Sequence, residues 1–206
     1  MRVTSKNVKD FWAYMAKKYD FSVVDKGSST EMALAGWWLE QMEIQSKEDF
    51  LEKYSTTLCL GEFRRVYIPF EIGKGTQAQL IQQVITCTHE SQHVVQSDRD
   101  VLHSVRYATS DAYRTQAEVD AYRVNMELYW HFYGKLIKPT TLANMLKGYG
   151  VGKADIRVAA KHLTIAAKVV ERGGVITGAS KVAIRWLEKH LDNPRVRKLD
   201  FVGLKV

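Results

Sequence analysis

A long apolar helix with titratable side chains in its middle sets the strongest limit on how this chain folds. Thr76 is a typical helix N-cap residue, and the run to about residue 96 has the spacing of a buried helix. Its apolar residues are Leu80, Ile81, Val84, Ile85, Val94 and Val95. Burying two imidazoles and a carboxylate is costly unless a partner satisfies them. The fold must therefore bring such a partner to His89, Glu90 and His93.

The spacing of these three residues indicates what the partner is. Residues 89–93 have the pattern H-E-x-x-H, and four residues advance a helix by about 400°, so both histidines share one face. Their ring nitrogens can then converge on one ion, and Glu90 lies at the flank of that face, where it can reach a water molecule. The alternative interpretation is a solvated helix face that carries two histidines.

A catalytic metal site needs a third protein ligand, and the sequence offers one candidate on the next predicted helix, 111–133. A ligand six residues after His93 is excluded because that position is Arg99. Glu118 lies in a segment that is apolar on more than one side, and a buried carboxylate requires a cation. Ala121, one turn later, lets the two helices approach closely.

A strand, an H-E-x-x-H helix and a second helix with E-x-x-A together resemble the gluzincin group of zinc metallopeptidases, which have a zincin-like fold. Residues 89–96, HESQHVVQ, are similar to the H-E-x-x-H-V-V-Q form of some bacterial and phage members. The resemblance covers about residues 64–122. It implies that zinc (Zn2+) is held by His89, His93 and Glu118 and that Glu90 is the general base. It also implies that an edge strand pairs with a polypeptide substrate, here at Tyr67, Ile68, Pro69 and Phe70.

The chain departs from the family pattern at two places. Many members have an aspartate four residues after the third ligand, bonded to a ligand histidine, but here that residue is Tyr122. The partner of the histidines is therefore unassigned, with Asp120 and Asp111 as candidates. No motif identifies the residue that stabilises the oxyanion. Three residues in or near the predicted polar loop 97–110 could stabilise the oxyanion: Tyr107, Tyr113 and His103. Of these, Tyr113 is our catalytic candidate.

The remaining pattern predicts an α+β fold that is mostly helical, with a small antiparallel sheet. Two apolar runs, Thr56–Leu60 and Arg64–Ile72, flank Gly61 and Glu62 and indicate a hairpin. The second run alternates with period two, and Pro69 cannot donate to a ladder, so this strand is predicted at a sheet edge. The other predicted helices span residues 5–19, 31–42, 46–54, 141–147, 154–172 and 179–191.

The net charge of +7 comes entirely from the C-terminal third. Residues 138–206 carry 14 Lys+Arg and 5 Asp+Glu, whereas residues 1–137 carry 16 and 18. We therefore divide the chain into a zincin-like domain, 1–137, and a basic helical segment, 138–206, that can contact nucleic acid or another anionic surface. Residues 148–154 resemble a helix-hairpin-helix, which implies a phosphate site at Gly148, Gly150, Gly152 and Lys153. The alternative is a C-cap glycine and loop, with basic residues that only solvate the outer helix faces.

Two function classes follow from these observations. The first is a zinc metalloendopeptidase, and the second is a non-catalytic zincin-fold module, such as a phage particle component, that acts through the basic segment. The N-terminus has no signal-peptide pattern, and no run approaches the ~18 apolar residues of a membrane span. We expect a soluble protein of the cytoplasm or a phage particle, in which Cys59 and Cys87 are buried thiols.

Overall fold

The computed structural model of the chain describes residues 2–30, 32–33, 48, 51–52 and 54–191. Of these residues 68% are helical, and a three-stranded mixed sheet accompanies the helices. The prediction of a mostly helical α+β fold is thereby confirmed. The predicted helices 31–42 and 46–54 fall mostly outside the described residues, as do the basic residues of 192–206.

The helices follow the predicted order, with one addition. Their bounds are α1 Ser5–Tyr19, α2 Gln77–Arg99, α3 His103–Thr109, α4 Asp111–Tyr133, α5 Pro139–Met145, α6 Lys153–Glu171 and α7 Gly178–His190, with a 3-10 helix at Leu146–Tyr149. The addition is α3, which occupies most of the segment predicted as a polar loop. None of the described helices combines the length and the apolar character that crossing a membrane requires.

Side-chain caps set the ends of the two helices that matter most for the site. Thr76 and Gln79 form a capping box at the start of α2, each side chain bonded to the backbone of the other residue. Ser110 caps α4, and Gly134 ends it in the left-handed conformation, where a side chain would be strained. Both helices have 23 residues, so each is about 35 Å long.

The sheet is mixed, which corrects the predicted antiparallel sheet. It contains β1 (Ser22–Asp25), β2 (Thr56–Leu60) and β3 (Phe63–Ile68) in the order β1-β3-β2. The predicted hairpin is confirmed, since β2 and β3 are antiparallel and flank a turn that contains Gly61 at φ 62°. Strand β1 pairs with β3 in parallel orientation.

The predicted position of the second hairpin strand at the sheet edge is wrong. Tyr67 in β3 lies opposite Val24 on one side and Thr56 on the other, so β3 is the central strand. The strand ends at Ile68, and Pro69 and Phe70 follow it. Pro69 therefore terminates β3 instead of marking an edge, and strands of the sheet occupy both sides of Tyr67. The outer strand of the hairpin is β2.

Two apolar cores hold these elements together, and α4 contributes to both. The first joins α1, α2, the sheet and α7, with Val124 and Leu128 from α4. The second joins α4, through Val119 and Met126, to α5 and α6. The described part of the basic segment, 138–191, is thus packed into the same two cores as the rest of the chain.

Candidate metal centre

Three side chains predicted as metal ligands meet between α2 and α4. His89 and His93 lie one turn apart on α2, and Glu118 faces them from α4. The Nε2 atom of His93 is 3.3 Å from Glu118 Oε1, and the Nε2 atom of His89 is 3.7 Å from Glu118 Oε2. All three residues are buried, with Glu118 only 1% exposed. Ala121, also buried, leaves room for this close approach of the helices.

The donor set fits a small divalent cation. Ligand atoms at about 2.1 Å from a tetrahedral Zn²⁺ are about 3.4 Å apart, close to the two measured separations. The Oε2 atom of Glu118 is buried and has no hydrogen-bond partner among the described residues. A buried carboxylate oxygen without a donor is costly, and a cation between the three side chains would satisfy it. His89, His93 and Glu118 could therefore hold a metal ion.

Two amide side chains orient the ligand histidines. The Oδ1 atom of Asn125 is 2.8 Å from His89 Nδ1, and the Oε1 atom of Gln96 is 2.8 Å from His93 Nδ1. Gln96 also donates through Nε2 to the Ala117 carbonyl, which identifies its oxygen. An amide oxygen only accepts, so each Nδ1 must carry a proton, and in the neutral ring each Nε2 is left bare for a metal.

The two predicted candidates for this orienting role do not reach the histidines. Asp120 accepts from Arg123 and Gln116, and Asp111 accepts from Arg114. The sequence did contain a signal for Asn125, because it lies seven residues after Glu118 and so on the same face of α4. The family aspartate position is Tyr122, whose ring packs 5.5 Å from that of His89.

Electrostatics in the cluster favour a cation. Burial opposes protonation of His93, but the Glu118 carboxylate raises the pKa of His93 to about 9. Burial would raise the pKa of Glu118, but the charge and hydrogen bond of His93 lower it. The carboxylate is therefore ionised in a buried site, and it attracts positive charge, whether a proton on His93 or a metal.

Glu90 lies beside the cluster and is held from the sheet. Its side chain is buried, and its Oε2 atom accepts a hydrogen bond of 2.7 Å from the Thr57 hydroxyl of β2. The outer strand β2 is thus the strand next to the site. Farther along β2, the Ser104 hydroxyl bonds to both the N–H and the carbonyl of Cys59.

Tyr107 contacts the predicted ligands directly. Its hydroxyl donates to Glu118 Oε1 at 2.5 Å, and its ring lies 5.9 Å from that of His93. Burial, followed by the charge of Glu118, raises the pKa of Tyr107 well above its usual value, so the phenol stays protonated. Tyr107 therefore orients the Glu118 oxygen that faces His93.

Tyr113 lies behind His103 instead of at the cluster. The Tyr113 hydroxyl is 3.0 Å from His103 Nδ1 and donates to Asp100 at 2.9 Å. The phenol has one proton and gives it to the carboxylate, so His103 Nδ1 must donate and its Nε2 is an acceptor. The ring of His103 lies 6.2 Å from that of His93. In this arrangement neither residue offers a free proton to an oxyanion.

A residue that the sequence gave no reason to select comes from the basic segment. Tyr149, on the 3-10 helix, packs edge-on against Tyr54 with ring centroids 6.2 Å apart. Burial raises its pKa well above the usual value, and the charges of Glu118 and Glu90 contribute to the shift. Its phenol therefore stays protonated.

The predicted phosphate-binding residues lie in the turn between the 3-10 helix and α6. A side chain at Gly148 would come within 3.2 Å of the Tyr54 hydroxyl, so this glycine faces the body of the protein. Gly150 has φ 72°, and Gly152 is the N-cap of α6, with Lys153 exposed after it. The turn does connect two helices, as predicted.

Comparison of the chain with protein-family models, with curated proteins and with solved structures finds no match in any of the three.

Proposed function

We propose that this protein is a zinc-dependent metalloendopeptidase of the gluzincin type, with a zincin-like fold. One observation carries the proposal. The buried cluster of His89, His93 and Glu118 has both histidines held by amide side chains in the tautomer that binds a metal, and the Glu90 carboxylate lies next to the cluster on the same helix. A structural zinc site would be closed by four protein ligands, but the described residues bring together three. An open fourth position is what hydrolysis requires.

Each side chain around the cluster then has a chemical role. A bound Zn²⁺ would polarise the scissile carbonyl and make a water molecule more acidic. Glu90 accepts the proton of the attacking water and passes it to the leaving amine. The Thr57 hydroxyl occupies one Glu90 oxygen, so that the other is directed to the water. Asn125 and Gln96 keep both imidazoles in the ligating tautomer.

We assign the stabilisation of the developing oxyanion to one of two phenols, Tyr149 or Tyr122. Tyr107 already donates to Glu118, and Tyr113 donates to Asp100, so the proton of each of these phenols is engaged. Tyr149 is half-buried, and its phenol stays protonated because burial and the charges of Glu118 and Glu90 raise its pKa. Tyr122 is the other phenol left, since its buried hydroxyl has no hydrogen-bond partner among the described residues and its ring lies 5.5 Å from that of His89. A polypeptide would approach along β2 at Thr57, because Ser104 already occupies the Cys59 position.

The experiment compares Glu90→Gln with the wild type and with Glu62→Gln, which makes the same change at an exposed turn residue. Wild type and both variants should retain one zinc per chain by inductively coupled plasma mass spectrometry. Hydrolysis of a quenched fluorogenic peptide library should fall by about 10²–10⁴-fold in Glu90→Gln only. His93→Ala should lose the metal.

Two outcomes would contradict the proposal. Retained hydrolysis in Glu90→Gln would exclude it as the general base. Absence of bound zinc from the wild type after purification without chelators and dialysis against zinc would favour the non-catalytic module instead.

A further inference from the structure

One side of α6 carries a row of positive charges that the metal centre does not use. We call it the basic face of α6, and it consists of Lys153, Arg157, Lys161 and Lys168 on the helix and of Arg172, its C-cap residue. All five side chains belong to exposed residues. At 100° per residue they fall within an arc of about 100°, and at 1.5 Å per residue the row is about 28 Å long.

These charges have no partner within the described part of the chain. No carboxylate there forms an ion pair with any of the five, whereas Arg106, Arg114 and Arg123 are each paired. Three pairs within the row are four residues apart, a spacing at which like charges destabilise a helix. Glu171, at the last residue of α6, is the one carboxylate of the helix on this side. The row is thus electrostatically unfavourable by itself, and an external anion would relieve the repulsion.

The other residues of α6 indicate which class of anion the basic face can bind. Most apolar residues of the helix pack in the second core, including the buried Ala159, Leu163 and Val170. Of its large apolar side chains only Val158 and Ile165 are exposed, which is too little apolar surface for insertion into a lipid layer. The basic face has no aromatic residue on which unpaired bases could stack, since the one aromatic ring of the helix, His162, lies on another side, and the helix has no Asn or Gln to read adenine. The exposed positively charged groups of the helix instead form a straight row of cations, which can contact the regularly spaced phosphates of a nucleic-acid backbone.

We infer that the basic face of α6 binds the phosphodiester backbone of a double-stranded nucleic acid, without sequence preference. The inference rests on these five side chains and not on the glycines of residues 148–152. It is also independent of the metal centre and of the proposed peptidase activity.

The test is fluorescence anisotropy of the full chain with a labelled 20-base-pair DNA duplex between 50 and 200 mM NaCl. Each neutralised phosphate contributes about −0.9 to the slope of log K against log salt concentration. Five contacts predict a slope of about −4.5, and the affinity should fall by about 500-fold over this range. Two duplexes of unrelated sequence should bind equally.

Matched variants locate the surface. Lys161→Gln/Lys168→Gln should make the slope less steep by about 2, whereas Lys17→Gln/Lys18→Gln should leave it unchanged. The control removes the same charge from exposed positions of α1. Both variants should keep the far-UV circular dichroism melting curve and the zinc content of the wild type.

Several results would overturn the inference. An equal change of slope in the two double variants would show a general effect of net charge. Absence of duplex binding at 50 mM NaCl would exclude the basic face of α6 as a nucleic-acid site. Tighter binding to a single strand of the same length would exclude a duplex. A last result would assign the basic face to a membrane. In that case the wild type would cosediment with phosphatidylserine vesicles, and Lys161→Gln/Lys168→Gln would abolish the cosedimentation but leave duplex binding unchanged.

Discussion

At the scale of single residues, the chemistry of the site depends on which nitrogen of each histidine carries the proton. Here neutral amide oxygens make that choice, where the resembling family often has a carboxylate. A carboxylate would add a second negative charge to the buried site, whereas Asn125 and Gln96 orient the rings without one. Glu118 is thus the main source of negative charge among the groups that contact both ligand histidines.

Asn125→Leu should weaken zinc binding by about 10- to 100-fold, because it removes the acceptor that holds the His89 proton on Nδ1. Competition with a fluorescent zinc chelator measures the change. Asn125→Asp should restore binding, and Asn144→Leu on an exposed turn of α5 should have no effect. Unchanged affinity in Asn125→Leu would show that the His89 tautomer is set elsewhere.

At the scale of elements, Arg114 joins three segments at the edge of the site. From α4 its guanidinium donates to the carbonyls of Tyr107 and Ala108 at 2.9 Å and of Tyr149 at 2.7 Å. It thereby satisfies backbone groups at the end of α3 and in the 3-10 helix that lack intrahelical partners. Tyr107, which bonds to Glu118, and Tyr149 are therefore positioned through their main chains.

Arg114→Lys should lower the free energy of unfolding by about 2 kcal/mol, since an ammonium group cannot span three carbonyls and hydrogen bonds from a charged donor each contribute about 1.5–3 kcal/mol. Urea denaturation measures the loss. Arg123→Lys, which affects an ion pair with Asp120 on the same helix, should cost only about 0.5 kcal/mol. Equal losses would mean that Arg114 acts only as a surface charge.

The hairpin and the site show which structural features can be predicted from the pattern of residues close together in the sequence. The β2–β3 turn, the caps of α2 and α4, and the pairing of His89 with His93 all depend on residues a few positions apart. The central position of β3 depends on β1, whose four residues S-V-V-D show no clear alternation and lie about 40 residues away. Since Pro69 ends a strand as readily as it marks an edge, the sequence did not distinguish these cases.

At the scale of the whole molecule, α4 unites the fold by taking part in both cores and in the site. The packing around α4 also encloses a histidine, His131, near the C-terminal end of the helix. Burial lowers the pKa of His131 to about 4, and its Nε2 atom has no hydrogen-bond partner among the described residues. At this residue the folded state therefore binds fewer protons than the unfolded chain between pH 6.5 and 4.

Stability should accordingly fall as the pH drops through this window. From the two pKa values, His131 lowers the free energy of unfolding by about 2 kcal/mol at pH 5 relative to pH 7. His131→Leu should remove this part of the pH dependence in urea denaturation at the two pH values. Phe132→Leu, an adjacent aromatic that does not titrate, should retain it. Identical pH dependence in the wild type and His131→Leu would contradict the assignment.

The amino-acid sequence was sufficient for the features that one or two helical turns encode. The H-E-x-x-H spacing, the choice of Glu118 and the mostly helical class follow from periodicity and from the cost of burying charge. The cluster in the structure agrees with that choice of residues, and the identity of the ion remains a prediction.

Long-range packing was needed for everything that depends on distant segments meeting. The contacts of Thr57 with Glu90 and of Asn125 with His89 each join residues more than 30 positions apart, and so does the hydrogen bond from Arg114 on α4 to the Tyr149 carbonyl of the basic segment. Spacing along one helix specifies which side chains share a face, but it contains no information on what that face meets. The packing of α2 against β2 and α4 supplies that information, because it determines which polar groups are enclosed together without water.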